Sequence, residues 1–174
     1  MDSVYKIKKG LKAPMVLAVL LSIPVFVDVV MGGFELKILI MALALMVLFY
    51  LFTLNNLLRL VRITDTEITI SSLFGKSRIT LDEVNSFDSM VMGSRQFITI
   101  SSKKKNHLIP NSFDAFPRII EDIISVAPEN TVSEGLVFLK DHTVTRKSDI
   151  TVGWITVILL LLIILIRFFP HWIQ

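Results

Sequence analysis

The stretch that decides the fold is RITDTEITISSLFGKSRITLDEV, at residues 62–84. Apolar, mostly β-branched side chains alternate with polar ones on both sides of a short turn at Asp65, which is typical of two paired strands. Gly75 marks a second turn, because glycine adopts positive φ at little cost. Ile79 and Leu81 then lie two positions apart, on one face of a third strand. The stretch therefore predicts an antiparallel β meander with one buried face.

The alternating pattern continues downstream and then changes to a helical one. A short helical turn is expected at residues 82–84, and further strands are predicted at 85–92, 96–101 and 106–109. After these strands the apolar period becomes 3.6, which predicts an amphipathic helix that starts near Pro117. Its apolar face holds Phe113, Phe116, Ile120, Ile123 and Ile124, and its polar face holds Arg118, Glu121 and Asp122. Such a helix would close over the apolar face of a curved sheet.

Two patterns in this region, T-D-x-x-I-x-I at residues 64–70 and G-K-x-R-I-x-L-D-E-V at residues 75–84, resemble those of a bacterial PH-like domain. The resemblance extends over residues 60–126. It implies a small antiparallel half-barrel that is capped by a C-terminal helix and is used for scaffolding or assembly. Eukaryotic relatives of this fold often bind phosphoinositides through basic residues in the first hairpin loop. Here that loop reads Asp65-Thr66-Glu67 and is acidic, so the resemblance does not extend to such a site.

Three apolar blocks flank the alternating region, at residues 13–31, 36–58 and 152–169. Each is close to the ~20 residues that a helix needs to cross a bilayer. The chain as a whole is 53% hydrophobic with a mean hydropathy of +0.68. The predicted fold class is therefore membrane α + β, with a helical hairpin, a polar insert and a C-terminal span. A cleaved signal peptide is disfavoured, since no A-x-A-like site follows the first block and a second span comes almost at once.

This reading divides the chain into five segments. They are a basic cytoplasmic N-terminal flank (1–12), a transmembrane hairpin (13–58), the PH-like domain (59–127), a linker (128–150) and the third span with an outer tail (151–174). Apolar residues in the linker fit a short amphipathic helix or, alternatively, a hairpin around Lys140-Asp141. The helix is the preferred reading of the linker.

The charges predict an orientation. Residues 59–149 contain 12 Lys/Arg and 12 Asp/Glu, so the insert is neutral, whereas four lysines precede the first apolar block. Arg146 and Lys147 stand just before the third block, and no Lys or Arg follows it. Basic residues favour the cytoplasmic side. We therefore expect an integral protein of the bacterial inner membrane, with the N-terminus and insert in the cytoplasm and the C-terminus outside.

Two ionisable residues lie inside the apolar blocks, Asp28 in the first and Arg167 in the third. Each is about 15 residues from the expected cytoplasmic end of its helix, hence ~22 Å deep. Charges inside a bilayer are costly unless they are paired or hydrated. Asp28 and Arg167 are therefore a candidate intramembrane pair, and the alternative is that each reaches the outer interface alone.

Three lysines in a row, Lys103, Lys104 and Lys105, stand in the expected turn between two strands. They are candidate contacts for anionic lipid or for a protein partner, and the third possibility is a solvated turn. Lipid contact requires the turn to lie within a Debye length, ~8 Å, of the head groups. The choice between these readings depends on how far the turn is from the bilayer.

No pattern in the sequence proposes a reaction. Cysteine is absent, the three histidines lack metal-ligand spacing, and no nucleophile or nucleotide motif occurs. We expect no catalytic, cofactor or metal site, no nucleic-acid binding and no small-molecule substrate. The expected function is a non-catalytic membrane-anchored module that assembles, stabilises or regulates a membrane protein complex, by binding another membrane protein or itself. The alternative is a sensor of anionic lipid surfaces, and an accessory subunit of a transporter or enzyme ranks third.

Overall fold

The computed structural model describes residues 1–103, 105–144 and 148–169. Seven strands and five helices lie in these residues. The strands are β1 (Asp2–Lys6), β2 (Leu60–Thr64), β3 (Glu67–Ser72), β4 (Gly75–Thr80), β5 (Val84–Met92), β6 (Arg95–Ser102) and β7 (Asn106–Pro110). The helices are α1 (Lys9–Met31), α2 (Leu36–Leu57), α3 (Phe116–Val126), α4 (Glu134–Asp141) and α5 (Ser148–Phe168). The fold is thus mixed α and β.

The chain divides into two compact units. The polar unit comprises Met1–Lys8 and Leu58–Arg146, and the apolar unit comprises Lys9–Leu57 and Lys147–Gln174. All strands and the two shorter helices belong to the polar unit, whereas α1, α2 and α5 belong to the apolar unit.

The polar unit contains two antiparallel sheets, one with the order β1-β2-β3-β4 and one with the order β5-β6-β7. Strands β2 to β7 lie close to where the sequence predicted strands, and buried residues alternate most regularly in β2 and β6. A short helical turn at Leu81–Glu83 joins the two sheets. Inward positions of both sheets are fully buried, which is why the apolar residues recur every second position. They include Ile63, Ile68 and Ile79 in the first sheet and Phe87, Ile98, Ile100 and Ile109 in the second.

The N-terminal segment forms a strand that the sequence did not predict. We expected residues 1–12 to be a basic flank, but β1 pairs with β2 along its whole length, from Asp2 opposite Thr64 to Lys6 opposite Leu60. Tyr5 and Ile7 alternate with exposed residues and are buried, so the segment carries the same period of two as the other strands. Its lysines concealed this pattern, because we interpreted them only as charges that flank a membrane.

The helices of the polar unit contribute the rest of its core. Helix α3 starts at Phe116 with Pro117 in its first turn, and it buries Ile119, Ile120 and Ile123 completely. Helix α4 begins after Ser133, whose side chain accepts a hydrogen bond from the Leu136 N–H at 3.2 Å. The segment before α4 pairs with β5, because the Phe87 N–H donates to Thr131 O at 2.7 Å and the Ser133 N–H donates to Phe87 O at 2.9 Å.

Helix α4 decides between the two readings of the linker. The region expected at 128–150 contains a helix at Glu134–Asp141 and not a hairpin around Lys140-Asp141. Leu136 and Leu139 are its buried residues. Residues 128–146 of this region belong to the polar unit, whereas α5 of the apolar unit begins at Ser148.

The apolar unit consists of three helices that are long and apolar enough to cross a membrane. They have 23, 22 and 21 residues, and α1 and α5 each begin four residues earlier than the apolar blocks at 13 and 152 suggested. Gly33 adopts a left-handed conformation (φ 69°) in the short connection between α1 and α2. The hydroxyls of Ser22 and Tyr50 lie 3.0 Å apart and join the two helices of this hairpin.

Candidate functional sites

Helices α1 and α5 form a parallel pair in register. Gly153 packs on Pro14 so closely that a Cβ added to the glycine would lie 3.0 Å from Pro14 Cγ. Arg167 pairs with Asp28, and both pairs are separated by the same 139 positions in the chain. A constant offset over this length means that the two helices run in the same direction without slipping.

Small residues allow this close approach. Every fourth residue of α1 near its start is small or compact, namely Gly10, Pro14, Ala18 and Ser22. Pro14 and Ala18 are buried, as is Val157 of α5, which the same offset places opposite Ala18. Such spacing is typical of helix pairs in membranes, where backbones pack closely because lipid provides no hydrophobic driving force between helices.

The candidate pair Asp28 and Arg167 lies at the far end of this parallel pair. Arg167 Nε donates to both carboxylate oxygens of Asp28, at 3.1 Å and 2.9 Å. The Arg167 side chain remains 57% exposed and that of Asp28 27% exposed. The structure therefore brings the two residues together at the edge of the helix pair, instead of placing each at a separate position.

Ser102 closes the turn that carries Lys103, Lys104 and Lys105, which we call the lysine turn. Lys104 itself lies outside the described residues. The Ser102 hydroxyl donates to Lys105 O at 2.8 Å and accepts from the Lys105 N–H at 3.3 Å, so it closes the turn. The Lys103 N–H donates to Glu83 O at 3.2 Å, which attaches the turn to the short helical turn after β4. The side chains of Lys103 and Lys105 are exposed.

The chain passes between the two units at three points, and the described residues beside each of them lie at one end of the polar unit. Lys6 stands opposite Leu60, close to the connections into α1 and out of α2. The Lys8 N–H donates to Ser112 O at 3.1 Å, and the Nδ2 of the neighbouring Asn111 donates to Val144 O at 3.1 Å. We call this the exit end, and it includes the β3–β4 turn (73–74) and the β5–β6 turn (93–94).

These two turns belong to the exit end because of their hydrogen bonds and register. Ser71, at the end of β3, stands opposite Leu60, and Ser94 O accepts from Asn111 Nδ2 at 3.1 Å. The opposite end, which we call the lysine end, holds the β2–β3 turn (65–66), the turn at Leu81–Glu83 and the lysine turn. It is connected by the bond from the Leu81 N–H to Thr66 O, at 3.0 Å. Strand β6 has eight residues and separates the two ends by about 26 Å.

A pair of side-chain amides fixes the segment after α4, and no pattern in the sequence predicts it. Gln96 Nε2 donates to His142 O at 2.9 Å, and Gln96 Oε1 accepts from the Val144 N–H at 2.8 Å. Asn111 adds its bond to Val144 O, and both amides are buried. We call Gln96 and Asn111 the amide clasp. Gln96 lies two positions before Ile98, so the strand alternation already pointed it inward.

Tyr5 and Asp122 form a second buried polar contact. The Tyr5 hydroxyl donates to the Asp122 carboxylate and so connects β1 with α3. Burial, together with this hydrogen bond, raises the pKa of Tyr5 to about 12. We expected Asp122 on the solvated face of the helix, and this is wrong because the added strand β1 covers that position.

Within the described residues, no group of three or more metal-ligating side chains occurs. Burial, with a smaller effect from Lys105, lowers the pKa of His107. His142 stacks on Phe138 with 3.9 Å between ring centroids, and His171 lies outside the described residues. In comparisons with known proteins, no family model matches the chain, and no curated protein or solved structure matches it.

Proposed function

We propose that this chain is a non-catalytic membrane-anchored module whose PH-like polar unit binds a protein partner, and so assembles, stabilises or regulates a membrane protein complex. The resemblance to bacterial PH-like domains is supported by seven antiparallel strands that precede a helix in one compact unit. Three helices of membrane-spanning length and composition support the anchor.

The observation that carries this proposal is the open edge of β4. This strand pairs with β3 on one side and ends the order of its sheet, so its other side has no neighbouring strand among the described residues. An edge of six residues, Gly75–Thr80, presents backbone groups to which an extended segment of a partner can hydrogen-bond. By contrast, the outer edge of β5 is partly covered by the segment that ends at Ser133.

The side chains of β4 indicate the chemistry of the partner. Lys76 and Arg78 are exposed on this strand, whereas Ile79 is buried. Lysine and arginine on an edge strand discourage pairing with arbitrary chains. A partner strand with acidic side chains at alternate positions is therefore the best match for β4.

We further propose that the three long helices cross the bacterial inner membrane, with the N-terminus and the polar unit in the cytoplasm and the C-terminus outside. The support is the basic character of the chain next to the helices, at Lys8, Lys9, Lys12 and Arg59. The polar unit as a whole remains close to neutral.

The lysine turn fits a solvated turn or a protein contact better than the alternative function, lipid sensing. It lies at the lysine end of the polar unit, whereas the chain enters the candidate spans from the exit end. Attraction to lipid requires the lysines to lie within ~8 Å of the head groups. The lysine end is about 26 Å from the exit end, so head groups near the exit end would attract the lysine turn only weakly.

The test of the proposed function is purification in mild detergent with mass spectrometry of the proteins that remain bound. We expect a membrane protein to co-purify with the wild-type chain and to be lost from the variant Arg78→Glu. A photo-crosslinker at Arg78 should link to this protein, whereas one at the exposed Asn85 of β5 should not. Recovery of this chain alone at several detergent strengths would contradict the proposal.

A further inference from the structure

The exit end of the polar unit carries two apolar hairpin tips. Phe74 is 71% exposed in the β3–β4 turn. Val91 and Met92 are 57% and 61% exposed where β5 runs into the β5–β6 turn. Val144 is also exposed, and it is held beside Ser94 because Asn111 Nδ2 donates to the carbonyls of both. Single exposed apolar residues are common on protein surfaces. Several at the hairpin tips of one end, however, are typical of a surface that contacts a protein or a membrane.

The charges of the polar unit are distributed between its two ends. Basic residues at the exit end are Lys6, Lys8, Arg59, Lys76 and Arg95, and Asp114 is an acidic residue among them. Acidic residues at the lysine end are Asp2, Asp65, Glu67, Asp82 and Glu83, beside Arg62 and the lysine turn. The unit is thus close to neutral in total but more basic at its exit end.

Short connections join the exit end to the candidate spans. Two residues lie between β1 and α1, two between α2 and β2, and three between Val144 and α5. Each residue extends a chain by at most ~3.6 Å. If the three helices cross a bilayer, these connections hold the exit end at the membrane surface, and the amide clasp keeps the last of them fixed up to Val144.

We propose that the exit end is a lipid-docking surface, in which the tips at Leu73–Phe74 and Met90–Met92 enter the interface of an anionic bilayer. Methionine and phenylalanine side chains suit the boundary between head groups and acyl chains, and the basic residues around them attract anionic lipid. The surrounding lysines and arginines favour anionic lipid over a purely apolar protein groove. This inference concerns a different end of the polar unit from the lysine turn and does not depend on the partner at β4.

The natural absence of cysteine allows a direct test in the full chain. Single cysteines in place of Met92 and of Phe74 are labelled with an environment-sensitive fluorophore, and the chain is reconstituted into nanodiscs that contain phosphatidylglycerol. The matched controls are Lys103→Cys and Asp65→Cys at the lysine end. We expect spin-labelled lipid to quench the two tip labels at least about twofold more than the control labels, with the reverse order for a water-soluble quencher.

Equal access of the aqueous quencher to tip and control labels would overturn the proposal. Protection of the tips in native membranes but not in nanodiscs with the purified chain would also overturn it, since a protein would then cover them. The charge contribution has its own arm. Lys76→Gln with Arg95→Gln should reduce lipid quenching at Met92→Cys, whereas Lys103→Gln with Lys105→Gln should not. Quenching that is the same without phosphatidylglycerol would contradict the anionic preference.

Discussion

Tyr5 is the residue on which attachment of the N-terminal strand depends. Its hydroxyl donates to Asp122, and both side chains are buried. Tyr5→Phe leaves the carboxylate without this donor, and an unsatisfied buried polar group costs about 1–3 kcal/mol. In mild detergent, we expect the free energy of unfolding of the variant to be lower by this amount, so that it unfolds at a lower denaturant concentration. The double variant Tyr5→Phe with Asp122→Leu should recover part of the loss, and additive losses would contradict a direct contact.

The raised pKa of Tyr5 predicts a loss of stability in alkali. Tyrosine in the unfolded chain ionises near its ordinary pKa of 10.0, while in the folded protein the value is about 12. Its contribution is therefore fully present below pH 10 and is lost as the pH rises towards 12. Unfolding measured between pH 8 and 12 should show a steeper fall for the wild type than for Tyr5→Phe. Parallel curves would show that Tyr5 ionises equally in both states.

The pair Asp28 and Arg167 predicts how α1 and α5 respond to loss of one charge. Arg167→Leu leaves Asp28 without its cation in a helix expected to lie in lipid, which costs up to about 3 kcal/mol. We expect a lower midpoint of thermal unfolding in lipid nanodiscs. Asp28→Leu with Arg167→Leu should restore most of it, because no unpaired charge remains. A single variant as stable as the wild type would indicate that water, and not Arg167, compensates Asp28.

At the scale of elements, the sequence predicts strands and helices that have a regular apolar pattern. It does not predict features that depend on a single tertiary contact. Strands β2 and β6 and helix α3 follow from alternation and helical periodicity, because each has more than one buried position in a regular order. The first strand has only Tyr5 and Ile7 to indicate its period, among lysines that suggest another role. The Asp122 contact and the clasp of Gln96 and Asn111 join residues far apart in the chain, so no local pattern reveals them.

The amide clasp predicts a local effect on the segment after α4. Gln96→Met keeps the side-chain volume but removes the acceptor of the Val144 N–H. Loss of a hydrogen bond worth about 1.4 kcal/mol corresponds to roughly tenfold faster opening. Hydrogen exchange of the Val144 amide should accelerate by this factor. The Ser133 amide, which donates to Phe87 O, serves as the internal control, and equal acceleration there would indicate general unfolding.

At the scale of the whole molecule, the main feature is that the two ends of the polar unit differ in charge and in the connections they carry. The polar unit is close to neutral in sum, yet its exit end is the more basic of the two, because Arg62 and the lysine turn at the lysine end stand beside five acidic residues. Three connections leave from the same end, so the turns of the sheets are sorted into those beside the connections and those opposite. This arrangement of the turns follows from strand register and not from composition. The sequence therefore identified the lysine turn as a candidate contact but did not predict at which end of the polar unit it lies.

Replacement of Lys103, Lys104 and Lys105 by Gln tests this polarity. Since the turn is closed by Ser102 and backbone groups, the unfolding free energy should change by less than about 0.5 kcal/mol. In nanodiscs, which expose both faces of a bilayer, trypsin should cleave the wild-type turn at rates that agree within about twofold with and without phosphatidylglycerol, because screening limits attraction at this distance. Strong protection of the wild-type turn by the anionic lipid would place the lysine turn at the head groups and contradict the assignment of the two ends.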